Sequence, residues 1–323
     1  MKKLTNVNNV KEIANKLKNE KSVAVICHIH PDGDAIGSAV ALSLGLNTLG
    51  IKTAVFCDDV VPKKFSYLQA EKYVNREFIG EFSAIVAVDC GDENRLGAFS
   101  EAFCKSKNTY NIDHHVSNPR YAKVNYVVER ASNAENVYEI LKEMGVEINK
   151  EIATFLLMGV MTDTGGFRHK SVEKQTFFCA GELVEKGADV NQIYYNCFAK
   201  QTKERAKLFA LVMGRLRYLL DGKYVIATVF QEDLLKTGAL YEDSEGFIDF
   251  LMGIDSVEVA SCIMQTGENK YKISFRAKDT DVNAVASTFG GGGHKLASGC
   301  QISGEYEEVI DKIRYAVKVH IKE

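Results

Sequence analysis

Nearly unbroken apolar runs alternate with helical patterns through the first half of the chain. Ser22–Cys27, Thr53–Cys57, Ala84–Val88, Thr109–Ile112 and Val124–Val128 carry β-branched and apolar residues with little polar alternation, which predicts strands buried on both faces. Apolar residues at three-and-four spacing predict helices over about 36–49, 133–144, 151–161 and 173–186. Buried strands separated by helices imply an α/β fold with a parallel sheet.

The rhythm changes beyond 188. Residues 189–209 turn polar and basic and read as a linker, with Lys200-Gln201-Thr202-Lys203-Glu204-Arg205 leading into a helix that reaches Leu220. Strands are then expected at Tyr224–Phe230, Val257–Gln265 and Tyr271–Arg276, followed by a helix over 282–289, a turn of four glycines and an amphipathic helix near 305–320. The expected organisation is a parallel-sheet domain over 1–188 and a smaller α+β domain over 210–323, facing each other across a cleft. The length, 323 residues, favours two cores over one.

Composition narrows the class. The chain is 46% apolar with 3 prolines and a net charge of −3, which excludes a disordered chain and one that coats long duplex nucleic acid by charge alone. No apolar run approaches a membrane span, and the start lacks the continuous apolar stretch of a secretion signal, so a cytoplasmic location and no membrane partner are expected. The eight cysteines are scattered without close pairs and read as reduced core residues.

Candidate chemistry gathers at expected strand ends. Cys27-His28-Ile29-His30-Pro31-Asp32-Gly33-Asp34-Ala35 joins the first of these strands to its helix, where open α/β sheets present binding loops. Its imidazole and carboxylates suit manganese or a similar divalent ion better than calcium, although Asp34 could equally cap the helix. Val88-Asp89-Cys90-Gly91-Asp92 ends another strand, leaving Asp89 and Asp92 as alternatives. Asn111-Ile112-Asp113-His114-His115 ends a third; one of the histidines would bind metal while the other reaches substrate. Thr162-Asp163-Thr164-Gly165-Gly166 closes an apolar helix, where Asp163 is a further candidate ligand. Six such N/O donors suffice for two cations if one carboxylate bridges, and a two-metal site can generate hydroxide at neutral pH and clamp an in-line displacement at phosphorus.

These four motifs, in this order, resemble those of the DHH phosphoesterase superfamily. Phe289-Gly290-Gly291-Gly292-Gly293-His294-Lys295 resembles the glycine-rich signature of its associated C-terminal domain. The resemblance implies that His28, Asp32 and Asp89 hold one metal and that Asp34, Asp89, His114 and Asp163 hold the other, with Asp89 bridging. His115 would contact the reacting phosphate or assist the leaving group. Arg276 and His294 would hold substrate phosphates, and the amides of Gly292 and Gly293 can form an anion-binding nest. Arg95 and Arg168 read equally as phosphate partners or as surface arginines; Phe167 and His169 could stack a base, with core packing the better reading of Phe167. Asn133, where such proteins more often have threonine or serine, departs from the pattern.

Within the superfamily, a chain of this length with these two domains is similar to the bifunctional oligoribonucleases and PAP phosphatases. That implies Mn²⁺-dependent removal of 5′-mononucleotides from short RNA and conversion of 3′-phosphoadenosine 5′-phosphate (PAP) to AMP, by a monomer or homodimer. Two alternatives stay open: a phosphodiesterase for cyclic or linear dinucleotides such as c-di-AMP or pApA, and a nucleotide-sensing module that turns nothing over.

Overall fold

The computed structural model describes residues 5–6 and 9–321, which divide into two compact units, one ending at Lys200 and the other beginning at Gln201. The first unit runs β1 (Thr5–Asn6), α1 (Val10–Lys18), β2 (Ser22–Ile26), α2 (Gly33–Thr48), β3 (Lys52–Phe56), β4 (Val74–Asn75), β5 (Ala84–Val88), α3 (Ser100–Lys105), β6 (Thr109–Asp113), β7 (Val124–Val127), α4 (Asn133–Glu143), α5 (Lys150–Asp163), α6 (Lys174–Glu185) and α7 (Val190–Tyr194).

Its seven strands lie in the order β1-β7-β6-β5-β2-β3-β4, with every neighbouring pair parallel. Every residue of β5 is buried, as the unbroken apolar run requires of a central parallel strand. From β2 the chain moves outward to β3 and β4, then returns to the other side of β2 to build β5, β6 and β7. The carboxyl ends of β2 and β5 therefore flank the point where the winding reverses, which is where open sheets leave a crevice.

Glycines let two helices meet backbone to backbone above this sheet. A Cβ on Gly37 of α2 would lie 2.4 Å from the Phe155 carbonyl of α5, and one on Gly159 would lie 2.7 Å from the Asp34 carboxylate. The close crossing brings the start of α2 against the end of α5 and so draws Asp34 toward the stretch that carries Asp163.

The second unit comprises α8 (Lys203–Met213), β8 (Arg217–Leu219), β9 (Tyr224–Val229), α9 (Gln231–Thr237), α10 (Phe247–Met252), β10 (Val259–Gly267), β11 (Lys270–Ala277), α11 (Val282–Ser287), β12 (Gly292–His294), β13 (Ala297–Ser303) and α12 (Tyr306–His320). Its sheet, ordered β12-β13-β11-β10-β9-β8, is antiparallel except between β9 and β10. Tyr271, Ile273 and Phe275 pack one face against Val282, Val285, Ile310 and Ile313 of α11 and α12. On the other face, Leu208, Phe247 and Leu251 cover Val225, Ala227 and Ala260 of β9 and β10.

Several sequence expectations change here. The stretch 189–209 contains α7, a π-helical turn over Tyr195–Ala199 and the first half of α8, with Ile193 buried in the first unit's core. The helix expected to reach Leu220 ends at Met213 before Gly214, and 217–219 is strand β8. The glycine run is only partly a turn, because Gly292–His294 pairs with β13. Cys104 is exposed, whereas Cys27, Cys57, Cys90, Cys179 and Cys300 are buried as expected. Among the described residues, no helix is long and apolar enough to cross a membrane.

Candidate metal centre

The loop after β2 supplies the first donors. Asp32 is the N-cap of α2, its Oδ1 accepting hydrogen bonds from the Asp34 and Ala35 amides at 3.0 Å each. The other oxygen, Oδ2, lies 3.9 Å from His28 Nε2. The capping role open to Asp34 in the sequence thus belongs to Asp32. Asp34, in the first turn of α2, is fully buried, with Oδ2 accepting from the Asn133 amide at 2.5 Å and Oδ1 from the Ala134 amide at 2.9 Å and the Ser38 hydroxyl at 3.2 Å. The positive start of α4 thereby fixes this carboxylate. The departure at Asn133 leaves that contact intact, since it is made through the backbone.

Asp89 follows β5 with φ 51°, a left-handed conformation that aspartate tolerates better than most side chains and that turns its carboxylate out of the strand's alternation. It is 2% exposed. Oδ2 lies 3.6 Å from His28 Nε2, and Oδ1 lies 3.3 Å from His114 Nε2. Oδ1 is buried without a hydrogen-bond partner. Asp92, its alternative in the sequence, instead caps the following 3-10 helix by accepting from the Asn94 amide.

Both histidines make a contact on their far nitrogen. His114 Nδ1 lies 3.1 Å from the Arg130 carbonyl, which can only accept, so Nδ1 carries the proton and donates, and in the neutral ring Nε2 turns a lone pair toward Asp89. His28 Nδ1 lies between an acceptor, the Ile29 carbonyl at 2.7 Å, and a donor, Arg95 Nη2 at 2.9 Å, while its Nε2 faces Asp89. His114 Nε2 is also 3.5 Å from Asp163 Oδ2 at the end of α5. Lone pairs and carboxylates facing one another at these separations repel unless positive charge sits among them.

The titration behaviour of the metal-free site carries the same message. Burial holds the Asp34 carboxyl well above the usual carboxylate range, reinforced by Asp89 and Asp163. Burial also lifts Asp163 to about 6, against the pull of His114. Burial opposes a charged His114, yet Asp89, Asp34 and Asp163 raise it to about 10. Asp89 alone goes down, because His114 and His28 outweigh its burial.

Three groups of donor atoms result, each within 4.8 Å: His28, Asp32 and Asp89; Asp34, His114 and Asp163; and Asp89, Asp113, His114 and His115. Asp89 joins the first two, with Oδ2 toward His28 and Oδ1 toward His114. The orphaned Oδ1, the inward Nε2 atoms and the all-N/O donor set fit divalent cations.

His115 is set apart from its neighbour. Its Nδ1 lies 2.8 Å from Asp113 Oδ1, while Asn118 holds Asp113 Oδ2 at 2.5 Å. Asp113 raises the His115 pKa and leaves Nε2 of this half-exposed ring available. Asn118 carries no signal of its own in the sequence, since its role depends on Asn111 and Asp113, seven and five residues back in the chain.

The remaining candidates are dispersed. Arg95 Nη2 lies 2.9 Å from His28 Nδ1, beside the ring. Arg168 Nε donates to the Gly165 carbonyl, and His169 Nδ1 lies 2.9 Å from the Asp163 carbonyl. Phe167 is partly buried and stacks on Phe177 at 5.4 Å. Arg276 lies on β11 and Gly292, Gly293 and His294 on β12, all in the second unit.

Comparison with known proteins matches residues 22–160 to the N-terminal domain of the DHH family and 221–323 to the DHHA1 domain. A bifunctional oligoribonuclease and PAP phosphatase, NrnA, of Thermus thermophilus is 29% identical over 91% of this chain and 90% of its own. The protein of the same description from Bacillus subtilis is 24% identical over 91% and 94%. The crystal structure of an exopolyphosphatase-related protein from Bacteroides fragilis superposes with a TM-score of 0.84 at 26% identity, covering 96% of this chain and 95% of that one. The stretches that carry His28, Asp89 and His114 lie within the first match, Asp163 follows three residues after its end, and the glycine-rich strand lies within the second: the chain belongs to the DHH family of phosphoesterases, with a DHHA1 domain as its second part.

Proposed function

We propose that the chain is a two-metal phosphoesterase that releases 5′-mononucleotides from RNAs a few residues long and converts PAP to AMP and phosphate. The observation that carries this reading is Asp89, buried between His28 and His114 with one oxygen toward each and Oδ1 unpartnered. The descriptions of the T. thermophilus and B. subtilis relatives support the substrate class.

In this reading His28, Asp32 and Asp89 hold one cation, and Asp34, Asp89, His114 and Asp163 the other. Mn²⁺ is favoured by the mixture of imidazole and carboxylate. Cations held there supply Lewis acidity toward a phosphoryl oxygen and acidify water. Asp113 keeps His115 oriented, so that Nε2 can bond the phosphate or deliver a proton to the leaving oxygen. The first unit acts as the catalytic domain and the second as the substrate-binding domain, where Arg276, His294 and the amides of Gly292 and Gly293 take substrate phosphates. Arg95 adds positive charge beside His28. The enzyme would work in the cytoplasm.

The test is a turnover panel of di- to pentaribonucleotides, PAP, pApA and c-di-AMP with Mn²⁺ and with EDTA. Mononucleotides from RNA and phosphate from PAP, abolished by EDTA, are expected. Turnover confined to pApA or c-di-AMP would replace this reading with a dinucleotide phosphodiesterase. Tight binding of every ligand without turnover would leave a sensor.

A further inference from the structure

Strand β11 lays its residues alternately on two faces of the second sheet. Tyr271, Ile273, Phe275 and Ala277 enter the core beneath, while Lys272, Ser274 and Arg276 stay exposed or half-buried on the opposite face. Register extends this alternation into rows, because paired residues of antiparallel strands project to the same face. Arg276 pairs with Ala297, which pairs with His294; Ser274 pairs with Gly299, which pairs with Gly292; Lys272 pairs with Gln301. The face therefore carries a basic row, a nearly bare row and a second basic position.

Folding demands only part of the bare row: a Cβ on Gly299 would lie 3.1 Å from the Ile273 carbonyl, a tight approach, whereas Gly292 is open. A Cβ on Gly291 would lie 2.2 Å from the Gly299 carbonyl, and on Gly293, at φ 150°, 2.6 Å from the Ala297 carbonyl, so those two must be glycine. At Gly292 the nearest atom would be Asn283 Oδ1 at 3.7 Å, an ordinary contact. The fold accepts a side chain at Gly292; a ligand strand crossing the row would not.

Spacing supplies the rest. Positions two apart on a strand are separated by about 7 Å and positions four apart by about 13 Å. Those steps are commensurate with successive phosphates of an extended single strand, which basic grooves follow along the backbone. Lys272, Ser274 and Arg276 line one wall of a cavity of about 370 Å³ whose lining also includes Glu242, Glu245 and Asp249, so a phosphate strand must run along the β11 wall, away from those carboxylates. The ion pairs of this unit join Arg215 to Asp233, Arg217 to Glu307, Lys236 to Glu232, Lys312 to Glu308 and Arg314 to Asp311. Among the described residues, neither Lys272 nor Arg276 takes part in one.

Resting on the phosphoesterase reading above, we propose that β11 measures substrate length: Arg276 takes one phosphate and Lys272 takes the phosphate two nucleotides further along, the chain between them crossing the Ser274–Gly299–Gly292 row. Lys272 then needs a ligand with at least three phosphates, a 5′-phosphorylated trinucleotide or a longer RNA, and is idle with PAP or pApA.

The experiment compares wild type, Lys272→Ala and Lys272→Arg, measuring KM for PAP, pApA and 5′-phosphorylated tri- to pentaribonucleotides, and Kd for the same labelled RNAs across a salt series. For the alanine variant, KM and Kd should rise about three- to fivefold for the longer RNAs relative to PAP and pApA. The slope of log Kd against log salt should shrink by about 0.7 for the longer RNAs only. Arginine should restore both. An equal change at every length, or no change at any, overturns the proposal. If wild type hydrolyses no RNA yet the binding loss keeps its length dependence, the ruler stands and the phosphoesterase reading falls; if it binds no RNA, the ruler falls.

Discussion

His115 Nδ1 and Asp113 Oδ1 are 2.8 Å apart, and the same carboxylate is gripped on its other oxygen by Asn118. The pair fixes which His115 nitrogen carries a proton toward the protein and which one faces outward. Asp113→Asn should therefore lower kcat by about a hundredfold while leaving Mn²⁺ affinity near wild type. The kcat–pH profile provides the check, because the loss of Asp113 should also move its inflection to lower pH. An unchanged profile would place His115 outside the reaction.

Asp89→Asn is the sharper test of the shared carboxylate. Asparagine tolerates the left-handed backbone that Asp89 adopts, so the fold should survive, as circular dichroism will report. Turnover of every substrate should fall by at least about a thousandfold, and calorimetry should find Mn²⁺ stoichiometry reduced. Near-normal activity would refute the bridge.

The pH dependence of metal stabilisation follows from Asp163. Its carboxyl rises from an ordinary 3.8 to about 6 in the metal-free fold. A raised acid stabilises the fold where it is protonated, so its contribution is complete below the unfolded value and is lost as pH climbs through about 6. His114, also raised, loses its contribution at higher pH still. A bound cation replaces these protons. The Tm increment produced by Mn²⁺ should thus be larger near about pH 7.5 than near about pH 5, where protons must be displaced, and scanning calorimetry at both values measures it.

Gly37→Ala probes the helix crossing. Its methyl group would have to displace the Phe155 carbonyl, which costs about 1–3 kcal/mol of stability. Because the same crossing aligns Asp34 with the end of α5, Mn²⁺ affinity should weaken along with denaturant resistance. A variant that loses stability but binds Mn²⁺ as before would uncouple the crossing from the site.

Legibility in the sequence tracked how local the cause was. Five of the first unit's seven described strands lie within about a residue of the expected ends, because unbroken apolar runs leave a central parallel strand little alternative; β1 and β4, two residues each, are too short to show such a run. The donor loops were legible because they leave those strand ends. Helix α1 is not legible in the sequence although Ile13, Ala14 and Leu17 are buried, since a short charged segment offers few apolar positions. Strand β13 was hidden by Ala297, Ser298 and Gly299, whose strand conformation comes from pairing with β11. The expected helix to Leu220 followed apolar residues at 216, 219 and 220 that β8 and its flanks use instead. Asn118, Ser38 and the α4 amides were beyond reach for another reason: they act on the site only through a folded neighbour.

Asp32 splits its two oxygens between unlike duties, one fastening the first turn of α2 and the other looking toward His28. A glutamate there would extend the carboxylate and abandon the amides; a serine would keep the amides and surrender the anion. Aspartate is the one side chain that satisfies both, so local secondary structure and ion chemistry constrain this position together, and neither can drift without the other.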